Sequence, residues 1–452
     1  MTADLWPAPF AATPLDATVT IPASKSLTNR YLILAAMADG ESRLRAPLQS
    51  RDSTLMINAL RALGAGITEV AGHGQVPDLV VTPIPADQAT PPGGLTVDCG
   101  LAGTVMRFVP PLAALVKGAV TFDGDPGALV RPMAPLVAAL TGLGVDVENG
   151  GDGFLPFTVH GTGSVDGGHV RIDAGSSSQF ISAILLVASR FANGIHLEHT
   201  GDSVPSPDHI SMTVQILRSL GISVDDSVPG QWVVAPGRIA GFDVSLEQDL
   251  SNAGPFLAAA LATGGTVRIP DWPSDTTQVG DKWREILPQF GASVTLQDNV
   301  LTVTGGTEIR GVDLADTSEL APTAAALCAL ATTPSRLRGI AHLRGHETDR
   351  LAALVAEINA LGGDAQETED GLIITPTPLR GGVFHSYHDH RLATAGAIIG
   401  LAVPGVEVEN IATTAKTMPE FPAMWAAMVA QTAELPPAPP SPAPPSPVDA
   451  QA

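Results

Sequence analysis

Lys25 and Arg30 stand five residues apart in the stretch PASKSLTNR, with Ser24 just ahead, Ser26 and Thr28 between them and a long apolar run behind. A cation at the opening of a buried helix opposes the helix dipole and is costly unless it meets an anion, so phosphate or carboxylate binding is favoured over a structural role. The pattern returns with different chemistry. CGLAGTVMRF puts Gly103 and Thr104 ahead of Arg107, and glycine lets a ligand approach the backbone closely. Arg131 precedes Pro132 in VRP, and GSSSQF offers Ser176, Ser177, Ser178 and Gln179, neutral donors suited to phosphate oxygens. Acids enter further along the chain. HETDR sets Glu347 beside His346 with Arg350 three positions on, DHR places His390 and Arg391 behind Asp389, TSELAP brings Glu319, and TTAKTMPEF brings Lys416. Carboxylates near several cations stay ionised and can move protons. Taken singly, each cluster has an ordinary explanation as an N-cap, a tight turn, a dipole-compensating acid or a solvated charge.

What must position these groups is a repeated element. Six polar clusters, near Ser26, Gly103, Ser178, Leu250, Ser318 and His390, each open an Ala- and Leu-rich run such as LILAAMA, SAILLVA or ATAGAIIGLA. Such runs read as helices apolar on every face, hence buried, and each is too short to span a membrane. A second series interleaves with them: Leu63-Gly64, Leu143-Gly144, Leu220-Gly221, Phe290-Gly291 and Leu361-Gly362 read as outer-helix stops, followed by short alternating strands. The module is therefore strand, buried helix, strand, outer helix, strand, strand, at a period of about 70 residues, too long for an ordinary solenoid. Six modules divide into two halves of three. Six helix N-termini brought together would form a receptor for anions.

Composition narrows the field. The chain has 452 residues and a net charge of -22, from 46 acids and 24 bases, which argues against a nucleic-acid partner. Its only lysines are Lys25, Lys117, Lys282 and Lys416, and two of these lie in the clusters above. Cys99 and Cys328 are too few and too embedded in apolar text for a disulfide framework or a zinc site. MTADLWPAPF lacks a signal-peptide pattern, so a cytoplasmic protein with no membrane partner is expected. LPPAPPSPAPPSPVDAQA, from Leu435, is expected to be a disordered tail.

The ordered set SKSLTNR, GLAGTVMR, VRP, SSSQF, HETDRL, DHR and AKT, from about Thr18 to Trp425, resembles the 5-enolpyruvylshikimate-3-phosphate synthases. That resemblance implies a two-domain inside-out α/β barrel of six βαβαββ units, three per domain around a pseudo-threefold axis. Residues 1–23 with 247–434 would form one domain and 24–246 the other, with the chain crossing near Ala23 and near Ser245. It also implies a monomer using shikimate 3-phosphate and phosphoenolpyruvate, with neither cofactor nor metal. Shikimate 3-phosphate would be held by Lys25, Ser26, Arg30, Ser177, Ser178, Ser206, Glu319, His342 and His346. Phosphoenolpyruvate would meet Lys25, Gly103, Thr104, Arg131, Gln179, Arg350, Arg391 and Lys416. Glu319 would take the 5-hydroxyl proton and Glu347 would serve the methylene carbon, with Lys25, His346 and His390 completing the catalytic set. Against the family pattern, Glu319 replaces an aspartate, His342 an asparagine, and His346 a lysine, which would make one fixed charge titratable near neutral pH. Gly103 suggests sensitivity to glyphosate, the family's competitor of phosphoenolpyruvate. Two rival readings are a UDP-N-acetylglucosamine enolpyruvyl transferase, disfavoured because GDPGALVRP lacks a cysteine, and a non-enzymatic anion-binding repeat protein.

Overall fold

The computed structural model describes residues 4–72 and 76–431, so the Pro-rich tail expected from residue 435 lies outside the described residues. The repeats pair an inner with an outer helix, in chain order. They are α1 (Lys25–Ala36) and α2 (Arg51–Ala62), α3 (Gly103–Ala113) and α4 (Ala134–Gly142), and α5 (Gln179–Ala188) and α6 (Asp208–Ser219). The second half continues with α7 (Leu250–Thr263) and α8 (Trp283–Gln289), α9 (Ala321–Ala329) and α10 (Arg350–Ala360), and α11 (His390–Ala402) and α12 (Phe421–Ala430). Every residue of α3 and α9 is buried, as their all-round apolar sequences require. The five predicted glycine stops all adopt positive φ, from 82° at Gly144 to 105° at Gly64, a geometry that side chains with a Cβ resist.

Six small sheets cover these helices. In the second repeat, Leu95–Asp98 pairs in parallel with Lys117–Asp123, which pairs antiparallel with Phe157–Thr162 and through it with Asp146–Glu148. Four other sheets repeat that order, but two of them borrow their opening strand. Asp243–Ser245 opens the sheet of the first repeat, and Asp16–Thr18 opens that of the fourth. The sixth sheet departs from the expected unit. It has three strands, Gly382–Phe384, Val406–Glu409 and the N-terminal Leu5–Pro7, the last running antiparallel.

Because of this borrowing the chain passes twice between two apolar cores that share no residue, one running from Leu27 to Ile239 and the other from Ala8 to Ile21 and from Leu250 onward. The two passages are bound to each other. Ala23 bridges Gln248, the Ser24 N–H donates to Glu247 at 2.8 Å, and the Asp249 N–H donates to Pro22 at 2.8 Å. Cys99 and Cys328 are buried as free thiols, and burial pushes Cys328 up to about 12, which makes it a small hydrophobe in practice. Leu327, wholly buried in the second core, is expected to cost about 2–5 kcal/mol on change to alanine, measured by urea denaturation.

Candidate active site

All six inner helices aim their N-termini at one cavity of about 260 Å³ between the two cores. Its wall takes Ser24 to Ser26 from α1, Gly103, Thr104 and Arg107 from α3, Ser176, Ser177 and Gln179 from α5, Asp249, Ser251 and Asn252 from α7, Glu319 ahead of α9, and His390 and Arg391 from α11. The segments that lead into the outer helices add Arg131, His342, His346, Glu347 and Lys416, and α10 adds its first residue, Arg350. Six cations (Lys25, Arg107, Arg131, Arg350, Arg391, Lys416) thus face three carboxylates (Asp249, Glu319, Glu347), a positive cavity in a strongly acidic chain.

Local sequence explains how the ends stay open. α1, α7, α10 and α11 are capped by Ser24, Asp249, Asp349 and Asp389, but Ala102 gives α3 no side-chain cap, leaving its first N–H groups for a ligand. Gly103 makes room there. A Cβ at that position would come within 2.8 Å of the Arg107 Nη1 and 3.1 Å of Arg131 and Gln179. Arg107 donates to Gln179 at 3.0 Å, and Arg131 reaches the Leu101 carbonyl at 3.3 Å. Their buried Nε atoms find no acceptor within the protein. Burial lowers the pKa of both; Arg131 lowers that of Arg107 further, whereas at Arg131 the carboxylates of Glu347 and Asp52 oppose the fall and Arg350 adds to it. An anion placed beside them would relieve this, at about 4 kcal/mol per charge pair near 4 Å and an effective dielectric of about 20.

Two carboxylates organise the remainder. Glu347 receives Lys416 at 2.7 Å on Oε1 and the His390 Nδ1 at 2.8 Å on Oε2, with Arg350 at 3.8 Å. Burial acts to raise its pKa, but His390, Lys416 and Arg350 outweigh that and hold it well below the carboxylate range. Arg350 is itself locked to Asp389 by bonds of 2.7 and 3.2 Å. Lys416 also reaches across to the Leu101 carbonyl at 3.3 Å, linking the two halves. Glu319 faces His209 at 2.7 Å, Ser251 at 3.1 Å and Arg391 at 3.5 Å, and these keep it ionised against burial. Among the described residues, Glu347, Asp389 and His390 bring potential ligand atoms within 4.8 Å of one another. Those acceptors already face Lys416 and Arg350, so a divalent cation there would sit among cations.

A family model for EPSP synthase (3-phosphoshikimate 1-carboxyvinyltransferase) matches residues 10–425. The chain belongs to the EPSP synthase family. It is 61% identical over 426 residues to a 3-phosphoshikimate 1-carboxyvinyltransferase of Kocuria rhizophila, covering 93% of this chain and 95% of that protein. An EPSP synthase structure from Acinetobacter baumannii shares the fold at TM-score 0.76 and 23% identity, covering 93% and 97% of the two chains. The enolpyruvyl transferase NikO from Streptomyces tendae follows at TM-score 0.69 and 19% identity, covering 93% and 96%.

Within this EPSP synthase fold most of the expected site residues meet, and three do not line the cavity. Arg30 lies beneath it, its donors taken by Ser26, Thr213, Ser182 and the His209 carbonyl, with its guanidinium over Phe108. Ser178 is the buried N-cap position of α5, and Ser206 is bonded to Ser318. In the HETDR segment α10 begins at Arg350, which leaves His346 and Glu347 in the preceding loop. His209, Ser251, Asp249 and Asp52, which pairs with Lys25 at 3.3 Å, were not among the expected residues. Only Asp249 carried a local signal, as an N-cap before an apolar run.

The expectation that His346 titrates near neutrality is corrected. Burial, and then Arg350, Arg131 and His342, push its imidazole well below the usual 6.5, so it stays neutral and lies 3.4 Å from the Arg350 Nη1. His342 and His390 are also lowered by burial, against opposing carboxylates. Unfolded, these three histidines take protons near 6.5 that the folded chain refuses. Stability is therefore full above that pH and declines as pH falls below it, with a second loss below about 4.5 as the ionised Glu319 and Glu347 are compelled to protonate. Urea midpoints at pH 8, 6.5 and 5 check this, and a flat profile would contradict it.

Proposed function

We propose that the cavity transfers the enolpyruvyl group of phosphoenolpyruvate to the 5-hydroxyl of shikimate 3-phosphate, releasing phosphate. The supporting observation is the convergence of all six inner helix N-termini, with six cations, on one cavity between the halves. Arg131, Arg350, Arg391 and Lys416, with Gly103, Thr104 and Gln179, take phosphoenolpyruvate, whose carboxylate and phosphate suit forked guanidinium donors. Ser26, Ser177, His342 and Glu319 take shikimate 3-phosphate, and Lys25 serves both ligands. Arg30 acts from below, fixing the α1 opening through the Ser26 carbonyl at 3.0 Å. Ser178 and Ser206 support the same subsite, as the end of α5 and as part of the contact between the halves.

The chemistry divides between the carboxylates. Glu319 takes the hydroxyl proton as that oxygen bonds to the central carbon of phosphoenolpyruvate, while the methylene carbon gains a proton. Glu347 is ionised and must be protonated before it can supply one. The Lys416 Nζ at 2.7 Å is the cationic donor in reach, its own pKa lowered by burial, while the neutral His390 holds the other carboxylate oxygen by a hydrogen bond at 2.8 Å. In the second stage the carbon–phosphate oxygen bond breaks and Glu347 recovers a proton from the methyl group, leaving the enolpyruvyl ether. The same reading takes the protein as a cytoplasmic monomer with two small-molecule substrates. Among the described residues no helix is long and apolar enough to cross a membrane.

Phosphate release with shikimate 3-phosphate and none with UDP-N-acetylglucosamine is the expected specificity, and the reverse would overturn the assignment. Gly103→Ala is expected to raise the KM for phosphoenolpyruvate about tenfold, or about 1.4 kcal/mol. The added methyl crowds Arg107, Arg131 and Gln179. It is expected to weaken glyphosate inhibition as well, which steady-state kinetics checks.

A further inference from the structure

Glu319 stands in a short 3-10 turn of the second half, Ser318–Leu320, yet its shortest bond goes to the first half, where His209 is the second residue of α6. The His209 Nε2 lies 2.7 Å from the Glu319 Oε2, and both side chains line the cavity while being largely shielded from solvent. An ionised carboxylate has no proton to give, so Nε2 is the donor. The Glu319 Oε1 receives the Ser251 hydroxyl at 3.1 Å and faces Arg391 at 3.5 Å. Of about four lone-pair directions on the carboxylate, these three partners leave one, on Oε2, free for a substrate proton.

The neighbouring contacts repeat the same crossing. Ser206 bonds Ser318, and each of these two residues holds a left-handed backbone, φ 52° and 49°, that only a well-determined contact sustains. Asp208 meets Lys282 at 2.9 Å. Residues 206 to 209 therefore form a strap from the first half onto the turn that carries Glu319.

We infer that His209 is a positioning residue for Glu319, so that this base adopts its working geometry only while the two halves are held together. This rests on the reading of Glu319 as acceptor of the hydroxyl proton. The proton still passes from the substrate oxygen to Glu319, and His209 keeps its own throughout.

Steady-state phosphate release by His209→Leu, His209→Gln, Glu319→Gln and the Leu–Gln double variant tests it. His209→Leu is expected to lower kcat about 10- to 100-fold while changing the KM for shikimate 3-phosphate by less than about threefold. Glutamine, which still offers an N–H, is expected to restore kcat to within about fivefold of the parent. In the Glu319→Gln background the leucine change is expected to add less than about a threefold loss, because the group it positions is already gone. A raised KM at unchanged kcat, failure of glutamine to rescue in a variant of parental melting temperature, or a full independent loss in the Glu319→Gln background would each overturn the inference. Failure of the underlying assignment is distinct, since the unchanged protein would then release no phosphate.

Discussion

Glu347→Gln lowers kcat by about 10²- to 10⁴-fold, the range expected when a proton-transferring group is removed. Glutamine keeps the shape and one acceptor for His390, but it can neither take a proton from Lys416 nor pass one to carbon. The substitution also leaves Lys416 facing an amide where it now meets a carboxylate at 2.7 Å. A bound anion compensates for part of that lost charge, so affinity for phosphoenolpyruvate falls less than turnover, or rises. Circular dichroism of a folded protein, a melting temperature lowered because the buried Lys416 loses its carboxylate, and kcat down with KM nearly steady is the expected pattern. Parental turnover in the folded variant would remove Glu347 from the chemistry.

Asp389→Ala is expected to destabilise the fold by about 3–5 kcal/mol, because it abandons the buried charge of Arg350. The pair is almost sealed from water, with side-chain exposures of 2% and 0%, and Asp389 also caps α11 by accepting from the Arg391 N–H at 2.8 Å. Burial alone would lower the Arg350 pKa, yet Asp389 and Glu347 together raise it above its usual value. Loss of Asp389 therefore releases three constraints at once: the Arg350 guanidinium, the start of α11 and the orientation of Arg391. A urea midpoint shifted to lower concentration at unchanged slope measures the first effect. Activity is expected to collapse even where the variant remains folded.

The helix openings were legible because each change from small polar to apolar residues is local, and burial on every face follows from composition alone. The glycine stops were legible for the same reason, and all five take the left-handed geometry. Pairings that close over long separations were not. His209 and Glu319 lie 110 positions apart, and nothing near either residue names the other. The third strand of the sixth sheet comes from Leu5–Pro7, about 400 residues from its partner, in text too short to read as a strand. His346 was misread because its ionisation depends on burial and on Arg131, which only the fold brings near. Arg30 was expected to hold shikimate 3-phosphate, and what its residue type could not convey is that its hydrogen bonds run to α5 and α6 beneath the cavity.

The central claim is that one cavity, built from six helix openings, holds two anionic substrates together and couples them. Its most direct measurement is phosphate release from phosphoenolpyruvate by the unaltered protein, with and without shikimate 3-phosphate. Release that requires shikimate 3-phosphate and saturates in both compounds, with one enolpyruvyl ether formed per phosphate, is the predicted result. Release that proceeds equally without shikimate 3-phosphate, or none with both present, would contradict it.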